Sequence, residues 1–187
     1  IYWVGAVDWN LRYFHGPELK IHRGTTYNSY LLVDDQITLV DAVYHPFADD
    51  LMKNIREIID PQKINNVVVN HIEVDHSGAL PIVMEAAPGA KVYCTQKARE
   101  GLTKQYSADW DFNVVRTGDE LSIGKRTLTF VEAPMLHWPD SMFTYIKEDA
   151  ILMPNDAFGQ HIATNLRFDD EVDIDEVMEE AAKYYAN

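Results

Sequence analysis

Four side chains able to bind a cation, His71, Glu73, Asp75 and His76, lie within six residues, in the run Val67-Val68-Val69-Asn70-His71-Ile72-Glu73-Val74-Asp75-His76-Ser77-Gly78. Imidazole and carboxylate together suit first-row transition metals, with the carboxylate share tilting the set toward harder ions. His71, Glu73 and Asp75 alternate with the apolar Ile72 and Val74. In a locally extended chain alternate side chains project to one side. The spacing therefore predicts three ligand groups converging on one side, with Ile72 and Val74 packed beneath them. Asp75 and His76 are adjacent and diverge on this reading, so the segment could serve two ions. Ionisable groups beside a β-branched strand are costly to desolvate unless something compensates their charge, and a cation does so. His71 alone would read as a loop, capping or ion-paired histidine; the cluster of four reads as a metal site.

Two later residues extend the set. His137 lies in Ala133-Pro134-Met135-Leu136-His137-Trp138-Pro139-Asp140, a loop between two expected strands, and Asp156 lies in Met153-Pro154-Asn155-Asp156-Ala157-Phe158-Gly159, just after another. In isolation each is an ordinary loop histidine or turn-forming aspartate. They gain weight by sharing the strand-end placement of the first cluster, where loops on rigid elements commonly carry function.

The positioning elements follow from periodicity. Residues 2–7, 29–33 and 37–40 read as β, the last two as a hairpin across Asp34-Asp35-Gln36. Residues 46–59 read as a helix, with Pro46 in its first turn and Leu51, Met52, Ile55, Ile58 and Ile59 on one face. Residues 64–70 carry the continuous Val67-Val68-Val69 run expected of a strand covered on both faces. A helix over 78–87, a strand over 91–95 and a helix over 96–106 come next, then hairpins pairing 121–123 with 127–132 and 143–146 with 151–153. Residues 173–185 read as an acidic amphipathic helix. Strands interleaved with helices predict an α/β layered sandwich.

Composition narrows the function classes. The chain has 187 residues, an apolar fraction of 47% and a formal net charge of −14. That charge argues against nucleic-acid partners and against anionic membrane surfaces, both of which need Lys/Arg patches. No run approaches a membrane span and no signal segment opens the chain; because Ile1 is not an initiator Met, a processed or trimmed start is expected. Cys94 is the single cysteine, which excludes an internal disulfide and thiolate-rich zinc sites, reads as a small buried hydrophobe, and makes the cytoplasm the natural compartment.

The order His71-x-Glu73-x-Asp75-His76, His137, Asp156 resembles the ligand set of the metallo-β-lactamase superfamily, whose general motif is H-x-H-x-D-H. Glu73 at the second His position makes it similar, more narrowly, to the flavodiiron proteins, also called A-type flavoproteins or rubredoxin:oxygen oxidoreductases. Asp156-Ala157-Phe158-Gly159-Gln160-His161 is similar to the stretch around that family's bridging aspartate. The resemblance runs over essentially the whole chain and implies a metallo-β-lactamase-like αββα sandwich holding two iron ions. By position it implies that His71, Glu73 and His137 bind one iron, that Asp75 binds the other with His76 ligating it or standing close by, and that Asp156 bridges both.

The resemblance further implies reduction of O2 to water, of NO to N2O, or of both. FMN on a flavodoxin-like domain outside this chain would supply the electrons, a rubredoxin or similar carrier would reduce it, and a head-to-tail homodimer would bring the FMN of one chain to the irons of the other. A further ligand histidine is expected well downstream of Asp156, yet the last histidine is His161, so residues 1–187 are expected to be a C-terminally incomplete domain. His161 and Trp138 are the candidates for a supporting catalytic role beside the metals, with His22 and His15 behind them; Trp138 reads equally as a pocket wall or a packed core residue. Asp41 resembles the superfamily's buried aspartate that steadies the metal loops, while Tyr27, Asn28 and Tyr30 read as packing and turn residues. Two other readings compete: a zinc hydrolase of the same fold, against which Glu73 counts, and a catalytically silent metal-binding module.

Overall fold

The computed structural model describes residues 1–13 and 20–185. Strands β1 (Tyr2–Trp3), β4 (Tyr30–Leu32), β5 (Ile37–Val40), β6 (Ile64–Val68), β7 (Lys91–Cys94) and β8 (Asp111–Val114) form a six-stranded sheet in that order. The pairs from β5 to β8 are parallel and the β1–β4 and β4–β5 pairs antiparallel. A second sheet, wholly antiparallel, has the order β12 (Ile151–Met153), β11 (Met142–Ile146), β10 (Thr127–Glu132), β9 (Glu120–Ser122). A short ribbon pairs β2 (Ala6–Asp8) with β3 (Thr25–Tyr27).

Both faces of the six-stranded sheet are covered, as the Val67-Val68-Val69 run requires. Val67 and Val69 join the cluster built with α1 (Ala48–Ile58), α3 (Leu80–Ala86) and α4 (Gln96–Tyr106), through Leu51, Ile55, Leu80 and Leu102. Val68 faces the other way and packs with Leu128, Phe130, Met142 and Ile146 of the second sheet. The order is thus helices, sheet, sheet. The last helix, α5 (Ile174–Tyr185), belongs to neither cluster and is held by ion pairs from Arg23 to Glu176 (2.8 Å) and to the buried Glu180 (3.4 Å). No helix among the described residues is long and apolar enough to cross a membrane. Cys94 is buried, and burial pushes its thiol up to about 12, consistent with an inert packing role.

Several boundaries differ from the periodicity. The 2–7 run is two strands, β1 and β2, interrupted at Val4 and Gly5. A Cβ at Gly5 would stand 2.0 Å from the Tyr27 carbonyl oxygen, so only glycine lets the chain cross there. Strands β3 and β8 are absent from the sequence reading because Thr25–Tyr27 is only three residues long and Asp111-Phe112-Asn113-Val114 carries an aspartate and an asparagine that disguise a paired strand. The 78–87 helix starts at Leu80, because a separate four-residue helix, α2 (Val74–Ser77), precedes it. A Cβ at Gly78 would lie 2.5 Å from the Val74 carbonyl oxygen and 2.6 Å from the His45 amide nitrogen, which requires glycine where α2 meets the turn before α1.

Candidate metal centre

The loops that leave the carboxyl ends of β5, β6 and β7 open at one edge of the parallel sheet, where open α/β sheets place their ligands. The second sheet delivers its loops to the same edge: the Met142 amide donates to the Asn70 carbonyl at 2.9 Å, and Thr144 Oγ1 donates to Asn70 Oδ1 at 2.7 Å. Asp41, just past β5, is buried and accepts from the Asn70 amide (2.7 Å), Asn70 Nδ2 (2.9 Å) and Asn155 Nδ2 (3.2 Å). Burial raises its pKa, and the nearby His76 and these donors counter that rise. One carboxylate therefore ties together the loops carrying His71, His76 and Asp156.

Two ligand groups result. His71, Glu73, His137 and Asp156 each offer one donor atom, all within 4.8 Å of one another; Asp75, His76 and Asp156 form a second group by the same measure. Asp156 belongs to both. In the first group Glu73 Oε2 lies 3.2 Å from the Nε2 atoms of both His71 and His137, and Asp156 Oδ2 lies 3.6 Å from each. In the second, His76 Nε2 lies 2.6 Å from Asp156 Oδ1 and 3.2 Å from Asp75 Oδ2.

The alternation expected over residues 71–75 holds only for its first half. Glu73 is extended (φ −56°, ψ 148°) and caps α2, so the backbone turns helical at Val74 and carries Asp75 away from His71 and Glu73. Asp75 and His76 converge through their ion pair rather than diverging. Ile72 packs against the core, but Val74 is 45% exposed and supports nothing.

The residues fit a pair of cations. Asp75 Oδ1 is buried yet makes no hydrogen bond among the described residues, and His76 Nε2 is crowded by carboxylate oxygens of Asp75 and Asp156. Orphaned polar atoms of this kind are costly unless an ion satisfies them. Protons compensate the same charge. Burial opposes protonation of His71, but the carboxylates of Asp140 and Glu73 outweigh it and bring the imidazole up to about 9. His76 rises well above its ordinary value, against burial, through Asp75 and Asp156. Asp156 is held below the usual carboxylate range, because His76, His71 and His137 overcome the cost of its burial.

Against the second group lies a cavity of about 230 Å³ whose lining includes Asp75, His76, Asp156, His161, Phe158 and Tyr184. His161 is in neither metal group; its Nδ1 lies 3.1 Å from Thr25 Oγ1 and its ring sits 6.0 Å from that of Tyr184. Trp138 stands edge-on to His71 (5.1 Å between centroids) and stacks on His137 (6.1 Å), so it walls the first group while 37% exposed. His22 is exposed and in neither group, and His15 lies outside the described residues. Tyr27 is a core residue, whereas Asn28 and Tyr30 also line the cavity.

Three contributors escape the sequence reading. Tyr184 packs on His137 at 6.1 Å and buries its hydroxyl without a hydrogen bond among the described residues. Asn155, at φ 54°, accepts the Asp156 amide on Oδ1 (2.8 Å) and brings Nδ2 to 3.3 Å from His76 Nδ1. Asp140 Oδ2 sits 3.0 Å from His71 Nδ1 and accepts the Ile72 amide at 2.9 Å. A signal existed for the last: Asp140 falls on the His137 loop, three residues on.

Comparison with known proteins agrees with this geometry. The family model described as "ODP family beta lactamase" matches residues 25–186. The chain is 62% identical to a nitric oxide reductase of Moorella thermoacetica over 188 residues, covering 100% of this chain and 47% of that protein. It superposes on the rubredoxin oxygen:oxidoreductase of Desulfovibrio gigas with a TM-score of 0.95 at 42% identity, over 99% of this chain and 46% of that one. The flavodiiron protein of Giardia intestinalis gives a TM-score of 0.95 at 43% identity, over 100% of this chain and 45% of that one. The chain thus spans under half the length of each of these relatives. The metallo-β-lactamase-like fold expected from the ligand order is the fold of these structures, and the chain belongs to the ODP family of β-lactamase domains.

Proposed function

We propose that the protein containing this chain is a diiron oxidoreductase that reduces NO to N2O, O2 to water, or both, with His71, Glu73, Asp75, His76, His137 and Asp156 holding two iron ions. The observation that carries this reading is Glu73. It is 3% exposed, and its Oε2 lies midway between two imidazole nitrogens where a hydrolase of this fold would offer a third histidine. A carboxylate there adds negative charge and hardens the donor set, which suits iron that cycles between oxidation states better than it suits zinc. The similarity to a protein named nitric oxide reductase favours NO among the two gases.

Bound iron would supply the redox chemistry, and the residues of this chain do the rest. Asp156 joins the two groups. Trp138 packs against the imidazoles of His71 and His137, and Tyr184 against that of His137. Forming N2O from two NO consumes two electrons and two protons, and reducing O2 to water consumes four of each. His161 and Tyr184 are proton-bearing side chains on the cavity wall.

The electrons come, on this reading, from FMN on a following flavodoxin-like domain, reduced by a rubredoxin-type carrier. Met135 and Leu136 beside His137, and Phe158 beside Asp156, are 70%, 59% and 73% exposed. Such an apolar rim is what a second copy, arranged head to tail, would cover. A single buried cysteine and no disulfide accord with a cytoplasmic setting. The test is gas consumption by the anaerobically purified full-length protein with reduced rubredoxin. Turnover of NO or O2 is expected; zinc in both positions with ester or amide hydrolysis and no gas consumption would overturn the proposal.

A further inference from the structure

The three histidines of the centre differ at the nitrogen turned away from it. His71 Nδ1 meets a carboxylate, Asp140 Oδ2 at 3.0 Å. His76 Nδ1 meets the amide nitrogen of Asn155 at 3.3 Å. No carboxylate comes within ion-pair distance of His137 Nδ1 among the described residues; its only such contacts run through Nε2. Asp140 is itself buried, and it is fixed twice more: its Oδ2 accepts the amide of Ile72, next to His71, and its backbone carbonyl accepts Thr95 Oγ1 at 3.0 Å.

A carboxylate at Nδ1 takes that nitrogen's proton as a hydrogen bond, which leaves the Nε2 lone pair directed at the centre and makes it more basic. An amide donor at Nδ1 does the reverse, favouring the proton on Nε2. We infer that Asp140 is a positioning residue that sets the ligating tautomer of His71, and that it makes the His71–Glu73–His137 position the tighter of the two cation positions. Because Asp140 binds the ring and the adjacent backbone amide through the same oxygen, it also fixes where the ring stands relative to Glu73. The inference rests on the two-cation reading above.

The test uses the full-length protein, stripped of metal and equilibrated anaerobically against buffered Fe(II), reading iron per chain against free Fe(II). Wild type is expected to fill in two steps. Asp140→Asn still offers one oxygen to both His71 Nδ1 and the Ile72 amide but removes the charge. It is expected to weaken the tighter step about 10- to 100-fold and leave the weaker step in place. Thr95→Val, which frees the Asp140 backbone but not its carboxylate, is expected to lower the melting temperature and shift neither step. If Asp140→Asn leaves the tighter step unmoved, or shifts both steps equally, the inference is overturned and Asp140 is only a loop brace. If wild type itself takes up fewer than two ions, the two-cation reading fails instead.

Discussion

His71, Glu73 and His137 reach Asp156 from loops on two different sheets, whereas Asp75 and His76 reach it from adjacent positions of one four-residue helix. The first group is the more braced: His71 and Glu73 are 0% and 3% exposed, Trp138 lies against the imidazoles of His71 and the exposed His137, and Asp140 stands behind His71. The second group faces the cavity, alongside His161 and Tyr184. The candidate centre is thus assembled in two ways, a braced side that would fix a cation and an open side where a small molecule would meet one. Long-range contacts build the braced side, and a local helical turn builds the open side.

That contrast can be broken from either end. The largest effect is expected from Glu73→Ala. Changes that act only through a ligand's supporting contacts already cost about 10- to 100-fold in metal affinity, so removing the proposed ligand carboxylate that stands between two imidazoles should cost more. Iron at the braced position and gas turnover should both be lost, as read by metal analysis and an NO electrode; retention of full iron would place Glu73 outside the centre. Asp75→Ala is expected to empty only the open position, leaving about one iron per chain, because Asp75 belongs to the second group alone. Loss of both ions would show that the two groups are not separable.

A smaller effect concerns pH. In the protein stripped of metal, the pKa of His71 stands at about 9 against an ordinary 6.5. A raised folded-state pKa stabilises the fold fully below pH ~6.5, and that contribution is lost as the pH rises through ~9. Denaturant unfolding of the stripped protein should show stability falling over that window, by at most about 1.4 kcal/mol per pH unit for this one group. Stability flat across that window would mean that the carboxylates around His71 do not outweigh its burial.

The sequence made the centre partly legible, and the reason is locality. His71, Glu73, Asp75 and His76 announce themselves because they are contiguous, and Val67-Val68-Val69 marks the strand that carries them. His137 and Asp156 lie one to a loop and gain meaning only from company. How the candidate ligands divide into two groups was not legible from spacing, since it turns on a single helical turn at Val74 that four residues cannot advertise. Asp140 was hidden for a different reason: its partner His71 is 69 positions away, and the loop between them closes through backbone at positive φ, 65° at Met135 and 103° at His137. Such conformations are costly for non-glycine residues and persist where surrounding contacts over-determine them, so no local pattern foretells them. Tyr184 escaped because the 173–185 helix reads as an acidic surface helix, and only its docking through Arg23 and Glu180 turns the tyrosine toward the centre.

Anomalous scattering from crystals of the full-length protein, collected above and below the iron absorption edge, addresses the central claim most directly. Two iron peaks should flank the Asp156 carboxylate, one against His71, Glu73 and His137 and the other against Asp75 and His76. A single peak, a signal appearing only at the zinc edge, or peaks away from Asp156 would contradict it.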